Sequence, residues 1–393
     1  MRRARQIACV IFGLLCGLYP AASFSAPENQ ADVTIAPQVL LIDGGSGTIL
    51  LSKDADKPIP PASLAKLMTA EVVFDALKRG EISQDTPYVV SEHAWRTGGA
   101  PSGTSTMFAK IKSSPTVADL LQGMIVQSAN DGAIVLAEGL AGSESAFAER
   151  MNERARALGL TGSHFVNATG LPAEGQVVTL HDMVKLAKHI QSSYPEYYHY
   201  YAQPEFTWNK ITQRNRNPLL PLKVGADGLG TGYTEASGYA LVGSAEQNGR
   251  RLFLGLSGLA SSKDRAEEAR KLIQWGMNNF DRVRLFRAGE VVGSAEVFGG
   301  TQAHVDLSVP DDVELLLPKR GRERLKARIL YQGPIAAPVK AGAQLAEIQF
   351  ELNGSVLKKL PVFAAKNVET GTLSQRAFGA VKELSTGWLR KFF

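Results

Sequence analysis

The stretch "ASGYALVGSAEQNGRRLFLGLSG", residues 236–258, constrains the fold most. Two apolar runs flank Asn248-Gly249, a pair suited to the two positive-φ positions of a tight hairpin turn. Other stretches read as helices. "TVADLLQGMIVQS", "ESAFAERMNERARALG", "LHDMVKLAKHI" and "SKDRAEEARKLIQWGMNNF" carry apolar residues at helical spacing. Further strands come from the other end. "APQVLLIDGGSGTILLSK", residues 36–53, reads as two strands around a Gly-Gly-Ser-Gly turn. Then "PIPPASLAKLMTAEVVFDALKRG" changes period. Pro60 and Pro61 end the extended segment, and a helix that starts around Ser63 stops at Gly80. Strands at both ends with helices between predict one mixed sheet packed with helices, an α+β domain over residues 26–282.

From residue 283 to 366 the pattern changes to short apolar runs between Gly and Pro turns: "AEVFGG", "HVDLSV", "VELLLP", "ARILYQ", "AEIQFELNG" and "KLPVF". That predicts a small all-β domain. The basic stretch Lys319 to Arg328 is read as a solvated strand edge. In the last segment, residues 367–393, Leu373, Ala377, Val381, Leu384, Trp388 and Phe392 step by three or four residues. They form an apolar stripe flanked by Arg376, Lys382, Arg390 and Lys391, the composition of a helix lying in a membrane surface.

At the other end, Arg2, Arg3 and Arg5 precede an apolar run from Ile7 to Leu18 and then small residues. This is the form of a secretory signal peptide, with cleavage expected after Ser25. Both cysteines, Cys9 and Cys16, fall inside it. The exported chain is therefore expected to have no disulfide, thiol nucleophile or thiolate metal site. The net charge of +5 is concentrated in the leader and the tail, and the body is near neutral. That opposes nucleic-acid binding, which needs a basic face. The six histidines include no His-Glu-x-x-His, so neither a metal nor another cofactor is expected.

The chemistry is carried by serines. Ser63 and Lys66 in "PASLAKLMT" are three apart and share a helix face. A lysine made neutral by burial or by a nearby cation can take the serine's proton, and the serine can then attack a carbonyl. "VQSANDGA" brings Ser128 and Asn130 to a helix end or loop, where a hydroxyl can relay a proton and an amide can donate to a carbonyl. "GADGLGTGYTEASGY" contains Thr231 and Gly232 leading into a strand along which an extended peptide can lie.

Ser63-x-x-Lys66, then Ser128-x-Asn130, then Thr231-Gly232, resembles the serine penicillin-recognising enzymes. "PASLAKLMTA", "QSANDGA", "NATGLPAEGQ", "PEYYHYY", "QRNRN", "DGLGTGYT" and "PVKAGAQLAEIQFELNG" are similar to the low-molecular-weight penicillin-binding proteins, the serine-type D-alanyl-D-alanine carboxypeptidases. The resemblance runs from about residue 35 to the end. It implies a penicillin-binding/serine β-lactamase-like catalytic domain, a small β domain and an amphipathic C-terminal helix. It implies a periplasmic enzyme, held on the outer face of the inner membrane, that trims the terminal D-alanine from peptidoglycan stem pentapeptides. β-Lactam antibiotics would acylate it as substrate mimics. Ser63 would be the acyl-ester nucleophile, Lys66 the base, and Ser128 and Asn130 the proton relay and substrate-positioning pair. The backbone N–H of Ser63 and one from the strand after Gly232 would form the oxyanion hole. Gly230, Thr231, Gly232 and Arg265 would contact substrate, with Arg265 near its terminal carboxylate.

Residue 230 departs from that pattern. The family normally has lysine there, hydrogen-bonded to the second-motif serine and attracting the carboxylate. Gly230 supplies neither function. Without that like charge, Lys66 is expected to keep its proton to higher pH than it would beside one. A lysine reaching the gap from elsewhere in the fold would change this expectation. The alternative reading is a non-catalytic or weakly catalytic wall-binding protein of the same fold. Gly230 favours that reading, and the intact Ser63, Lys66, Ser128 and Asn130 oppose it. A secreted β-lactamase is disfavoured by the missing Glu-x-x-Leu-Asn-like word and by the extra β domain. A Ser-His-Asp hydrolase is disfavoured because Ser63 is not in a Gly-x-Ser-x-Gly elbow.

Overall fold

The computed structural model describes residues 33–377 and 380. The expected leader, residues 1–25, lies outside the described residues, and so does the tail beyond 377 apart from 380. The described chain divides into two compact units between Asn278 and Asn279.

The first unit is built on a five-stranded sheet. Its strands are β1 (Gln38–Asp43), β2 (Ile49–Lys53), β5 (Ala226–Thr234), β6 (Gly238–Gln247) and β7 (Arg250–Leu259), in the order β2-β1-β7-β6-β5. Every pairing in it is antiparallel. The helices are α1 (Ala65–Lys78), α2 (Glu92–Thr97), α3 (Val117–Gln127), α4 (Asn130–Ala141), α5 (Glu144–Ala157), α6 (Leu180–Ser193), α7 (Pro195–Ala202) and α8 (Ser262–Asn278). A small hairpin, β3 (Glu205–Trp208) with β4 (Ile211–Arg214), completes the unit. Asn248 and Gly249 have φ of +51° and +73°, as the tight hairpin turn requires.

The sheet is covered on both sides. On one face α6 packs so tightly on β7 that a side chain at Gly255 would come within 2.9 Å of Val184. On the other, α8 reaches Leu41 and Leu252 through Gly276. This double cover buries residues 240–245 and 252–257 of the hairpin without a break. The α1 helix is central: only Asp75 and Lys78 of its residues escape burial. Inside the core, Glu71 of α1 accepts hydrogen bonds from Arg154 Nε at 2.7 Å and Tyr194 Oη at 3.0 Å. His189 Nε2 lies 3.2 Å from the same oxygen, which ties α1 to α5 and α6.

The second unit is all β. Its strands are β8 (Phe280–Phe286), β9 (Val291–Phe298), β10 (His304–Ser308), β11 (Val313–Pro318), β12 (Lys326–Leu330), β13 (Ile335–Ala336), β14 (Gln344–Leu352) and β15 (Ser355–Ala364). A six-stranded sheet runs in the order β12-β14-β15-β10-β9-β13, and a separate pair joins β11 to β8. Val305, Leu307, Ile348, Phe350 and Val362 form the centre of its core. The basic stretch ends in β12, a sheet edge where Arg328 pairs with Glu351. Residues 373–377 and 380 of the expected tail helix are helical, and the rest of it lies outside the described residues. No helix among the described residues is long and apolar enough to cross a membrane.

Candidate active site

Two consecutive prolines carry the chain out of its extended segment into a short 3-10 turn, Ala62–Leu64, that leads into α1. Ser63 stands on that turn. Ala62, immediately before it, has φ of +48°, and Ser128 has φ of +61°. A non-glycine residue in the left-handed region costs about 1–3 kcal/mol, and it persists where the surrounding packing over-determines it. Here the packing is visible. Gly170, itself at φ +81°, lies so close that a side chain on it would collide with the Ala62 carbonyl.

Lys66 Nζ lies 2.9 Å from Ser63 Oγ and donates to the Thr169 carbonyl at 2.7 Å. Lys66 is only 6% exposed. Burial pushes its amine down from 10.5 to about 7, against the opposing pull of the Asp131 and Glu144 carboxylates. A neutral amine so placed has a lone pair free for the serine proton. Desolvation alone therefore achieves much of what a like charge at residue 230 would have done. The Thr169 carbonyl is held by its own loop. Asn167 Oδ1 accepts from the backbone N–H of Thr169 at 3.2 Å and of Gly170 at 2.7 Å, which accounts physically for the "NATG" word.

Ser128 closes α3, and Asn130 begins α4 two residues later. No helical stripe announces α4, because residues 130–137 are all buried. Asn130 Nδ2 donates to Thr104 Oγ1 at 2.9 Å, and its Oδ1 is buried without a partner. Behind it Asp131, fully buried, accepts from Thr106 Oγ1 at 2.6 Å and from the backbone N–H groups of Met107 at 2.9 Å and Ala109 at 3.0 Å. Asp131 thus fixes the loop that partners Asn130. Asp131→Ala would leave four buried donors unpaired, the Gly132 N–H included, and we expect a loss of about 3–5 kcal/mol. The check is a urea midpoint that falls at unchanged slope.

Ser63, Lys66, Ser128, Gly230 and Thr231 line one cleft, together with Leu67, Tyr201 and Arg216. The edge strand β5 forms one wall. Gly232 lies against the nucleophile's turn, where a side chain would come within 3.1 Å of Ala62 Cβ and Pro61 O. Gly230 is different. A methyl group there would meet one atom, Leu67 Cδ2, at an ordinary 3.9 Å. Neither crowding at Cβ nor backbone conformation demands glycine at this position. Asn130, Gly232 and Arg265 do not themselves line the cleft. Arg265 is in the first turn of α8, with its guanidinium 5.5 Å over the Tyr239 ring and its Nε buried without a partner. Thr169, Thr104, Asp131 and Arg216 were not legible as site residues. The first three act through hydrogen bonds that only the fold makes, and Arg216 lies in the "QRNRN" word, which by itself gives that residue no role.

No group of His, Cys, Asp and Glu able to hold a metal occurs among the described residues. The profile described as D-alanyl-D-alanine carboxypeptidase matches residues 24–256, and the one for the penicillin-binding protein 5 C-terminal domain matches residues 280–370. The chain is 35% identical over 397 residues to D-alanyl-D-alanine carboxypeptidase DacC of Escherichia coli, covering 99% of each chain. It is similar in structure to D-alanyl-D-alanine carboxypeptidase DacD of Francisella tularensis, with a TM-score of 0.75, 30% identity, and coverage of 86% of this chain and 94% of that one. It is also similar to penicillin-binding protein D2 of Listeria monocytogenes in its ampicillin-bound form, with a TM-score of 0.53, 31% identity, and coverage of 62% of this chain and 97% of that one.

Proposed function

Because the chain belongs to the D-alanyl-D-alanine carboxypeptidase family, we propose that it removes the terminal D-alanine of peptidoglycan stem pentapeptides through an acyl-enzyme on Ser63. It is a serine-type carboxypeptidase with a penicillin-binding catalytic domain and an all-β second domain. The observation that carries the finer reading is the Ser63–Lys66 pair: 2.9 Å apart, with the amine lowered to about 7.

In this reading Lys66 takes the proton of Ser63 as Oγ attacks the penultimate D-alanine carbonyl. The oxyanion is held by the Ser63 N–H and one N–H of β5 beyond Gly232, strands and turn being packed together there. The C–N bond then breaks, and a proton relayed through Ser128 leaves with the D-alanine amine. Water attacks the ester, with Lys66 again accepting the proton, and Ser63 is regenerated. A β-lactam enters the same sequence, and its carbonyl remains on Ser63 because the amine stays tethered after the ring opens. The β-lactam-bound form of a similar protein supports this part of the reading.

The test is the purified protein given diacetyl-Lys-D-Ala-D-Ala, with assay for free D-alanine, and separately given penicillin, with mass mapping of the adduct. Release of D-alanine together with an adduct on Ser63 is expected. An adduct without release favours the binding-protein alternative, for which Gly230 is the specific observation. No release and no adduct at Ser63 overturns the reading.

We further propose a periplasmic enzyme attached peripherally to the outer face of the inner membrane. The leader composition and the basic, apolar-striped tail support this. Deleting residues 373–393 is expected to release a soluble protein of unchanged activity, since Ser63 to Arg265 all precede the second unit. Sedimentation of the truncated protein with membranes would contradict the anchor.

A further inference from the structure

The second unit carries a charged segment that the proposed chemistry does not use. We infer that the basic loop from Arg320 to Lys326 binds carboxylates of the peptidoglycan polymer, and so holds the enzyme on the wall that presents its substrate. This inference rests on the carboxypeptidase reading and goes beyond it.

The stretch from Lys319 to Arg328 holds six cations, Lys319, Arg320, Arg322, Arg324, Lys326 and Arg328, against one acid, Glu323. All six are exposed. Lys319 lies 3.8 Å from Asp281, and Arg328 lies 3.6 Å from Glu351. Arg320, Arg322, Arg324 and Lys326 have no ion pair or side-chain hydrogen bond among the described residues. Other surface cations of this unit find acids: Arg284 pairs with Asp312, Lys359 with Glu347 and Lys366 with Asp306. The loop is nevertheless held in place. The Arg324 N–H donates to the Gly321 carbonyl at 3.1 Å, the Leu325 N–H donates to the Arg322 carbonyl at 3.2 Å, and Leu325 packs on the core of the unit. Ala327 and Ile329 then face that core along β12, while Lys326 and Arg328 face out. Protection of the open β12 edge accounts for the last two cations only. Arg320, Arg322 and Arg324 precede the strand and guard no edge.

Like charges this close in sequence repel one another, and a bound polyanion relieves that repulsion. The fold indicates which polyanion. The tail leaves this unit beyond the end of β15, where Gln344 of β14 faces Phe363 and Thr370 pairs with Gly300. The basic loop enters β12 at the other end of the same sheet, where Lys326 is opposite Glu351. From Gln344 to Glu351 the β14 strand spans about 24 Å, at about 3.4 Å per residue. Cations serving the same membrane surface as the tail would stand at the tail's end of the sheet. Cations at the far end suit a polymer on the side away from that membrane. Peptidoglycan is such a polymer, because every stem pentapeptide ends in a carboxylate and one glycan strand carries many stems. Arginine binds a carboxylate through two parallel N–H donors. One exposed charge pair contributes little, but several acting on one polymer add up, and salt weakens them together.

The experiment is cosedimentation of the full chain, kept soluble in mild detergent, with isolated peptidoglycan sacculi at low and at high salt. The parent is compared with Arg320→Gln/Arg322→Gln/Arg324→Gln/Lys326→Gln and with Arg320→Lys/Arg322→Lys/Arg324→Lys. The glutamine variant should bind sacculi about 10- to 100-fold more weakly at low salt and lose most of the salt dependence. Its thermal midpoint and its release of D-alanine from diacetyl-Lys-D-Ala-D-Ala should stay at the parent values. The lysine variant should bind as the parent does. Sacculi whose carboxylates have been amidated should hold the parent no better than they hold the glutamine variant. Vesicles of anionic phospholipid, tested after detergent removal, should take up the parent and the glutamine variant equally through the tail. Equal binding of the two to untreated sacculi, binding that ignores salt, or undiminished binding to amidated sacculi would overturn the inference. So would a loss by the glutamine variant on vesicles in place of sacculi. D-Alanine release by the parent judges the carboxypeptidase reading separately, whichever way the loop behaves.

Discussion

Lys66→Ala should slow acylation of Ser63 by about 10²–10⁴-fold, with Ser63→Ala abolishing the adduct altogether. The size follows from what is removed. Lys66 Nζ is the group at 2.9 Å from Ser63 Oγ, and its amine is lowered to about 7 by burial. Without it the serine hydroxyl must lose its proton to water or to Ser128. The alanine also leaves the Thr169 carbonyl without its donor, so stability should be measured alongside. The result that separates catalysis from folding is a normal thermal midpoint with a slow burst of penicillin acylation. A penicillin adduct forming at the parent rate in Lys66→Ala would remove the base assignment.

Arg265→Ala should cost about 2–4 kcal/mol of transition-state binding, which is about 30- to 1,000-fold in kcat/KM. The guanidinium is half-buried against Tyr239 and has no acidic partner among the described residues, so its free energy in the empty enzyme is poor. A carboxylate that pairs with it recovers that cost. The loss should appear with carboxylate-ended peptides and shrink with carboxamides. Arg265→Lys should recover part of it, because charge is kept while the planar fork is lost. An equal loss on both peptides would instead indicate that Arg265 merely holds α8 against Tyr239.

Much of the fold was legible because its signals are local. Asn248-Gly249 specifies its turn, and short apolar runs mark six of the strands of the second unit. What is not legible has a physical pattern too. The α4 helix is buried nearly all round and shows no stripe, and β8 follows α8 with no breaker strong enough to separate them. The site was legible where chemistry requires a side chain at a fixed spacing, as with Ser63 and Lys66 on one helix face. It was not legible where tertiary packing does the work. Nothing in the sequence says that Thr169 offers its carbonyl to Lys66, or that residue 216 comes to the cleft beside residue 230. The absence of lysine at 230 was visible at once. That burial alone would lower the Lys66 amine, and that an arginine from a distant loop would line the gap, required the fold.

The most direct measurement of the account is the rate of Ser63 acylation against pH. Only neutral Lys66 can accept the serine proton, and lysine is neutral above its pKa, so the rate must rise with pH and then level off. With the amine lowered from 10.5 to about 7, the midpoint of that rise is expected near neutrality. A rise that continues to the ordinary lysine value of 10.5, or a rate independent of pH, would contradict the assignment of Lys66 as the buried base.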